Sequence, residues 1–148
     1  MSAQNFFEDD ILDLLFTNVA IPNVGNAGGL QPSGVAGSFF ISLHTALPAE
    51  TAAAQNTSEA AYPGPYARVA VARSVAAWTV ASGLVDNDAA ITFVQATGGT
   101  ETETHFGIGS DLSGVGNLFM KGALTASLVV SNGITPEFAI GALDVTMD

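Results

Sequence analysis

Between residues 38 and 147 no apolar run lasts long. "DND", "GG", "SDLSGVGN" and "SNG" cut this part of the chain into short segments at near-regular spacing. Such spacing suits antiparallel strands joined by tight connections, and it leaves no amphipathic helix for each parallel crossover. The segments are "SFFISLHT" (38–45), "YARVAVAR" (66–73), "AAWTV" (76–80), "AAITFVQA" (89–96), "ETHFGIG" (103–109), "NLFMKGAL" (117–124), "ASLVVS" (126–131), "PEFAI" (136–140) and "ALDVTM" (142–147), with a turn around Ser82-Gly83. In "YARVAVAR", parity puts Ala67, Val69 and Val71 on one face, opposite Arg68 and Ala70. The expectation is an all-β fold: an antiparallel β-sandwich, jelly-roll or Ig-like, with one short N-terminal α-helix.

That helix is "NFFEDDILDLLF", residues 5–16. Phe7, Ile11, Leu14 and Leu15 recur at helical spacing and form one stripe. Asn5 stands in N-cap position with Glu8 three residues later, and Glu8, Asp9 and Asp10 occupy the first turn, where the helix dipole favours negative charge. A helix this short is marginal alone, so the stripe must dock. Residues 18–37 and 47–65 are rich in Gly, Pro, Asn and Ala and read as an extended arm and a long loop, with one or two helical turns allowed at "AETAAAQ". At 148 residues we expect a single domain.

Fourteen acids face only Arg68, Arg73 and Lys121, giving a formal net charge of −11. Such a chain has little with which to neutralise phosphates, so no nucleic acid and no membrane is expected among its partners. Its acidity would favour a basic partner surface. No cysteine is present, which excludes thiolate sites. "MSAQNFFEDDILDLLF" has no basic n-region and does not read as a signal peptide.

The chemistry-bearing residue types do not assemble into a motif. His105, Ser110 and Asp111 have the types of a hydrolase triad, but "GIGSDL" lacks G-x-S-x-G; the simpler reading puts His105 on a strand and Ser110-Asp111 in its turn. "GVGNLFMKG" lacks the Gly-Lys-Ser/Thr of a phosphate loop, and neither Gly107-x-Gly109 nor Gly114-x-Gly116 completes a dinucleotide fingerprint. His44 and His105 have no histidine or cysteine at ligand spacing, and "DND" (86–88) reads as a solvated turn. Glu101 and Glu103 form a carboxylate pair of the kind that chance supplies among many acids. No catalytic, cofactor or metal site is expected. Arg68 is the most informative cation: a structural pairing with a carboxylate or a carbonyl is its leading role, with an anionic ligand as the lesser one. Trp78 and Phe93 read as core aromatics.

Taken in order, "FISLHTALP", "YARVAV", Trp78, "AITFVQAT", "THFGIGSD", "GNLFMKGAL" and the closing "GAL" resemble a family of small tailed-phage virion proteins, of tail-fibre-like or head-decoration type. The family pattern runs from a short helix through "GYARVAV", "AITF", "THWGIFDA" and "GNLLFYGAL" to a last "GAL" strand. Here Phe106 stands where the pattern has Trp, "GSDLSGVGN" replaces a shorter turn, and "YPGPYARVAV" adds prolines; all three keep strand and turn character. The resemblance implies a non-enzymatic structural protein without a cofactor. Its implied partners are other virion proteins, the major capsid protein or tail proteins, and a homo-oligomer is compatible. The leading expectation is a cement protein on the head surface, because long arms cover large partner surfaces. A tail or tail-fibre component is the alternative, and a glycan-binding or glycan-active protein the third. Phe7, Ile11, Leu14, Leu15, Arg68, Trp78, His105 and Phe106 are the structural or interface candidates.

Overall fold

The computed structural model describes residues 3–51 and 53–147. It is all-β apart from one short N-terminal helix, and its strands pair antiparallel. Two compact units form, each from separated segments. The first takes the chain up to Gly37, then Ala72–Ile91, then from Phe138 onward; the second takes Ser38–Val71 and Thr92–Glu137.

In the first unit, α1 (Asn5–Leu12) runs into a π-helical turn at Asp13–Thr17. The capping box is not formed. Gln4 is the N-cap, without a side-chain bond, and Asn5 is already helical, so its amide cannot serve the orphan N–H groups of the first turn. The far end widens because the Thr17 hydroxyl donates to the Asp13 carbonyl at 2.8 Å, inside the helical ladder. Asn18, with φ 61°, then ends the helix. The fully buried side chains are Leu12 and Phe16, one turn apart; Phe7, Ile11, Leu14 and Leu15 flank them and are half-buried. The core of this unit adds Ile21, Trp78, Val85 and Leu143. Phe16 meets Trp78 edge-on at 5.0 Å between centroids, and the Trp78 indole donates to the Ala72 carbonyl at 3.0 Å.

A three-stranded sheet orders β3 (Trp78–Ala81), β4 (Leu84–Asn87) and β9 (Val145–Thr146). Ser82 and Gly83, at φ 58° and 75°, make the tight β3–β4 turn, as a two-residue hairpin requires. The Asp9 carboxylate accepts from Gly83 N at 2.6 Å and from Ser82 N at 3.3 Å, which fixes α1 on the hairpin tip. Asp86 and Asn87 lie in β4, so "DND" is not a solvated turn. Asn87 is buried: its amide nitrogen donates to Ala89 and Ala139 carbonyls, and its oxygen accepts from Ala142 and Leu143 N–H. That side chain holds the segment before β9 in place of a ladder.

The second unit carries a four-stranded sheet ordered β2 (Val69–Ala72), β1 (Ser38–His44), β6 (Thr100–Gly109), β7 (Leu118–Ser131). β1 and β6 pair in register from Phe40↔Gly109 to His44↔His105. "NLFMKGAL" and "ASLVVS" are one strand, β7, not two. Continuity is kept by a bulge: Glu103 faces Leu128 and His105 faces Ala123, so Thr104 stands opposite residues 124–127. Arg68 lies one residue before β2; Ala67 is exposed, while Val69 and Val71 are half-buried. "AAITFVQA" yields only β5 (Ile91–Thr92), paired with β8 (Glu137–Phe138); beyond it Phe93 N and Ala96 N donate to the Pro136 and Ile134 carbonyls instead. Residues 53–58 form turns, not the helix allowed at "AETAAAQ", of which Ala52 lies outside the described residues. The core of this unit centres on Ile41, Leu43, Tyr62, Phe93, Ile108 and Val130.

Candidate functional site

Each of the three cations is spent on loop backbone. In the second unit Arg68 is 4% exposed, and its guanidinium reaches Glu59 through Nε–Oε1 at 2.6 Å and Nη2–Oε2 at 2.7 Å. Nη1 also donates to the Asp111 carbonyl and Nη2 to that of Gly114, both at 2.7 Å. Tyr66 completes the group by donating from its hydroxyl to Glu59 at 3.2 Å and accepting from Leu43 N at 3.0 Å. Arg68 therefore ties the 111–114 loop to the 47–65 loop and to β1. A cleft of about 390 Å³ opens over this cluster, lined by Glu59, Tyr66, Arg68, Leu112, Ser113 and Gly114. The paired Glu59 neutralises the guanidinium, and its fork is filled by a carboxylate and two carbonyls, which removes the electrostatic basis for an anionic ligand.

Lys121, in the same unit, donates to the Pro48 carbonyl at 2.6 Å and lies 3.5 Å from Glu50. In the first unit Arg73 donates from Nε to the Leu15 carbonyl, from Nη2 to Leu14 at 2.7 Å and from Nη1 to Ala36 at 2.9 Å. It thereby places a cation on the C-terminal carbonyls of the helix, where the dipole favours one, and it holds the end of the 18–37 segment. That segment is folded back: Ile21 and Leu30 bridge, and Asn18 and Ser33 exchange hydrogen bonds at 2.9 and 3.0 Å.

Of the residues with hydrolase types, Ser110 and Asp111 meet each other, and His105 makes its contact elsewhere. His105 Nδ1 contacts the Thr104 hydroxyl at 2.8 Å. The Ser110 hydroxyl donates to the Asp111 carboxylate and accepts from Asn117 N at 2.9 Å, closing the β6–β7 connection. The serine–histidine contact that does form carries no signal in the sequence: Ser42 Oγ and His44 Nε2, 2.8 Å apart and both fully buried. His44 Nδ1 faces the Thr57 carbonyl at 2.9 Å, which can only accept, so Nδ1 carries the proton and Nε2 accepts from Ser42. Burial, outweighing the Thr57 bond, lowers the His44 pKa below its ordinary value. This pair joins β1 to the 47–65 loop and is closed to solvent.

Gln55, also fully buried, was missed for the same reason. Its side chain donates to the Phe40 carbonyl at 3.3 Å and accepts from Asp111 N at 3.1 Å. A Cβ on Gly109 or Gly116 would run into it, so these glycines exist to admit Gln55 and not to approach a phosphate. Phe106 lies over Gly122, its neighbour across β6 and β7, where a Cβ would meet the ring. Trp78 is in the core, and Phe7, Ile11, Leu14 and Leu15 are around the docked helix, all in the first unit. Among the described residues no group of three or more acidic, histidine or cysteine side chains is placed to hold a metal ion. No helix is long and apolar enough to cross a membrane among the described residues.

A family model described as Podophage GP4 fiber I protein gp80 matches residues 2–146. The chain belongs to that family. It is therefore a phage virion structural protein, in agreement with the resemblance carried by "YARVAV", "AITFVQAT" and "GNLFMKGAL". Comparison with curated proteins gives no match. Membership in the gp80 fibre family brings interaction with other virion proteins.

Proposed function

We propose that the protein is a non-catalytic structural subunit of the phage fibre, on the tail side of the particle. The expectation that put head cementing first rested on a small sandwich with a terminal helix and long Gly/Pro-rich segments that cover partner surfaces, with the 18–37 segment as the contacting arm. That segment is instead bound into its own unit through Arg73, the Asn18–Ser33 exchange and the Ile21–Leu30 bridge. An arm already paid for in its own fold has little left with which to wrap a neighbour. The fibre description of the family points the same way. The single observation that carries the reading is this closure of the arm, joined to a family match over nearly the whole chain.

The test is localisation. A particle carrying a labelled copy, reconstructed at low resolution, should show the label on fibres or their attachment. Label distributed over the capsid lattice would overturn the fibre reading in favour of cement. A hydrolytic activity on host-surface glycan that His105→Ala abolishes would overturn the non-catalytic one.

A further inference from the structure

Glu101 and Glu103, two residues apart on β6, are neighbours in space. Glu103 is completely buried, and neither of its carboxylate oxygens meets a hydrogen-bond donor. An ionised carboxylate is not tolerated in such a place without a partner, whereas a neutral carboxylic acid brings its own donor. An acceptor is beside it: the Glu101 carboxylate, whose Oε2 already accepts from Ala61 N at 2.8 Å. Tyr62, the other titratable group facing the pair, donates its hydroxyl proton to the Val94 carbonyl at 2.9 Å and has none to offer. From β7 the residue opposite Glu103 is Leu128, which is apolar.

We propose that Glu103 and Glu101 share one proton at neutral pH, in a carboxylic acid–carboxylate hydrogen bond along β6 that steadies the carboxylate holding the Ala61 amide and opens as pH rises. The proton resides on Glu103 and is donated to one Glu101 oxygen, while the other Glu101 oxygen holds the Ala61 amide. Burial first, and the charge of Glu101 second, push Glu103 up to about 8 from 4.5. Burial, with Glu103 and Glu101 adding, pushes Tyr62 up to about 12, so it titrates above this window. Between the unfolded and folded values of Glu103 the folded state binds the extra proton, so stability is full below the lower value and is lost as pH rises through the higher. The segment that Glu101 holds through Ala61 also carries Glu59, so this joint adjoins the Arg68 clamp. The inference does not depend on where in the virion the chain sits.

The experiment uses the full chain with ¹³C-labelled glutamate. Side-chain carboxyl shifts are followed from pH 4 to 10, and urea unfolding is measured from pH 5 to 9 for the wild type, Glu103→Gln and Glu101→Gln. One glutamate should titrate near pH 8. The wild-type folding constant should carry a component falling up to tenfold per pH unit that Glu103→Gln lacks. Glu101→Gln should lower the Glu103 midpoint by removing the neighbouring charge. A Glu103 that titrates in the ordinary carboxylate range overturns the proposal, as does a midpoint unmoved by Glu101→Gln. If Glu103→Gln does not fold, the wild-type and Glu101→Gln titrations decide alone.

Discussion

Arg68 and Glu59 meet side-on, two nitrogens on two oxygens at 2.6 and 2.7 Å, with the arginine side chain 2% exposed and the glutamate 15%. Removing one partner of a buried pair leaves the other charge uncompensated, at a cost of about 3–5 kcal/mol. Arg68→Met should therefore destabilise by an amount in that range, read by urea unfolding, and should raise amide exchange in the 111–114 loop, whose carbonyls lose their donors. Arg68→Lys should recover only part, because an ammonium cannot fill a bidentate fork. A variant Arg68→Met as stable as the wild type would remove the clamp from this account.

Strand β1 was readable because Phe39, Phe40, Ile41 and Leu43 crowd into seven residues, and the β6–β7 connection because its glycines, serines and asparagine admit little else. Arg68 could be read as paired, but its partner could not: Glu59 lies in an Ala- and Pro-rich loop that carries no periodicity. Asn87 shows the opposite failure. A buried asparagine that replaces a ladder and a solvated one in a turn look alike until the segment at residues 139–143 arrives to use it. The helix could be placed but not rotated. Apolar residues at 11, 12, 14, 15 and 16 cover most of its circumference, so spacing alone cannot choose between the stripe of Phe7, Ile11, Leu14 and Leu15 and the Leu12–Phe16 pair that is buried.

That rotation has a direct test. Phe16 is fully buried against Trp78, whereas Phe6 is 68% exposed. Phe16→Ala should cost about 3–5 kcal/mol, the usual loss for a core phenylalanine, while Phe6→Ala should stay within about 0.5 kcal/mol of the wild type. Thermal unfolding of the two variants side by side settles it. Equal losses would mean that the helix docks on another face.

The helix is also held from its polar side. Asp9 accepts two N–H groups from the β3–β4 turn, and charged hydrogen bonds contribute about 1.5–3 kcal/mol. Asp9→Ala should lower stability by an amount towards the bottom of that range, because the site is partly exposed. Asp10→Ala is the control for general charge removal and should not reproduce the loss. Matching effects in the two variants would assign the result to net charge rather than to the turn.

His44 sets a second pH limit, opposite in sign to that of Glu103. Its imidazole is fully buried, and burial lowers its pKa from 6.5. As pH falls below 6.5 the unfolded histidine takes up a proton that the folded one refuses, so this contribution is present above 6.5 and is lost as pH falls towards the folded value. Between pH 7 and pH 5 this loss opposes the gain from Glu103, so urea unfolding should show the wild type losing ground on acidification relative to His44→Gln, which keeps polar atoms for Ser42 and Thr57. Protonating Nε2 would also leave Ser42 without its acceptor at 2.8 Å and force its hydroxyl onto the Gly107 carbonyl at 3.3 Å. The loss on the acid side should thus appear first where β1 meets the 47–65 loop, as line broadening of the Thr57 and Ser58 amides before the global transition. An acid limb identical in wild type and His44→Gln would place the titrating group elsewhere.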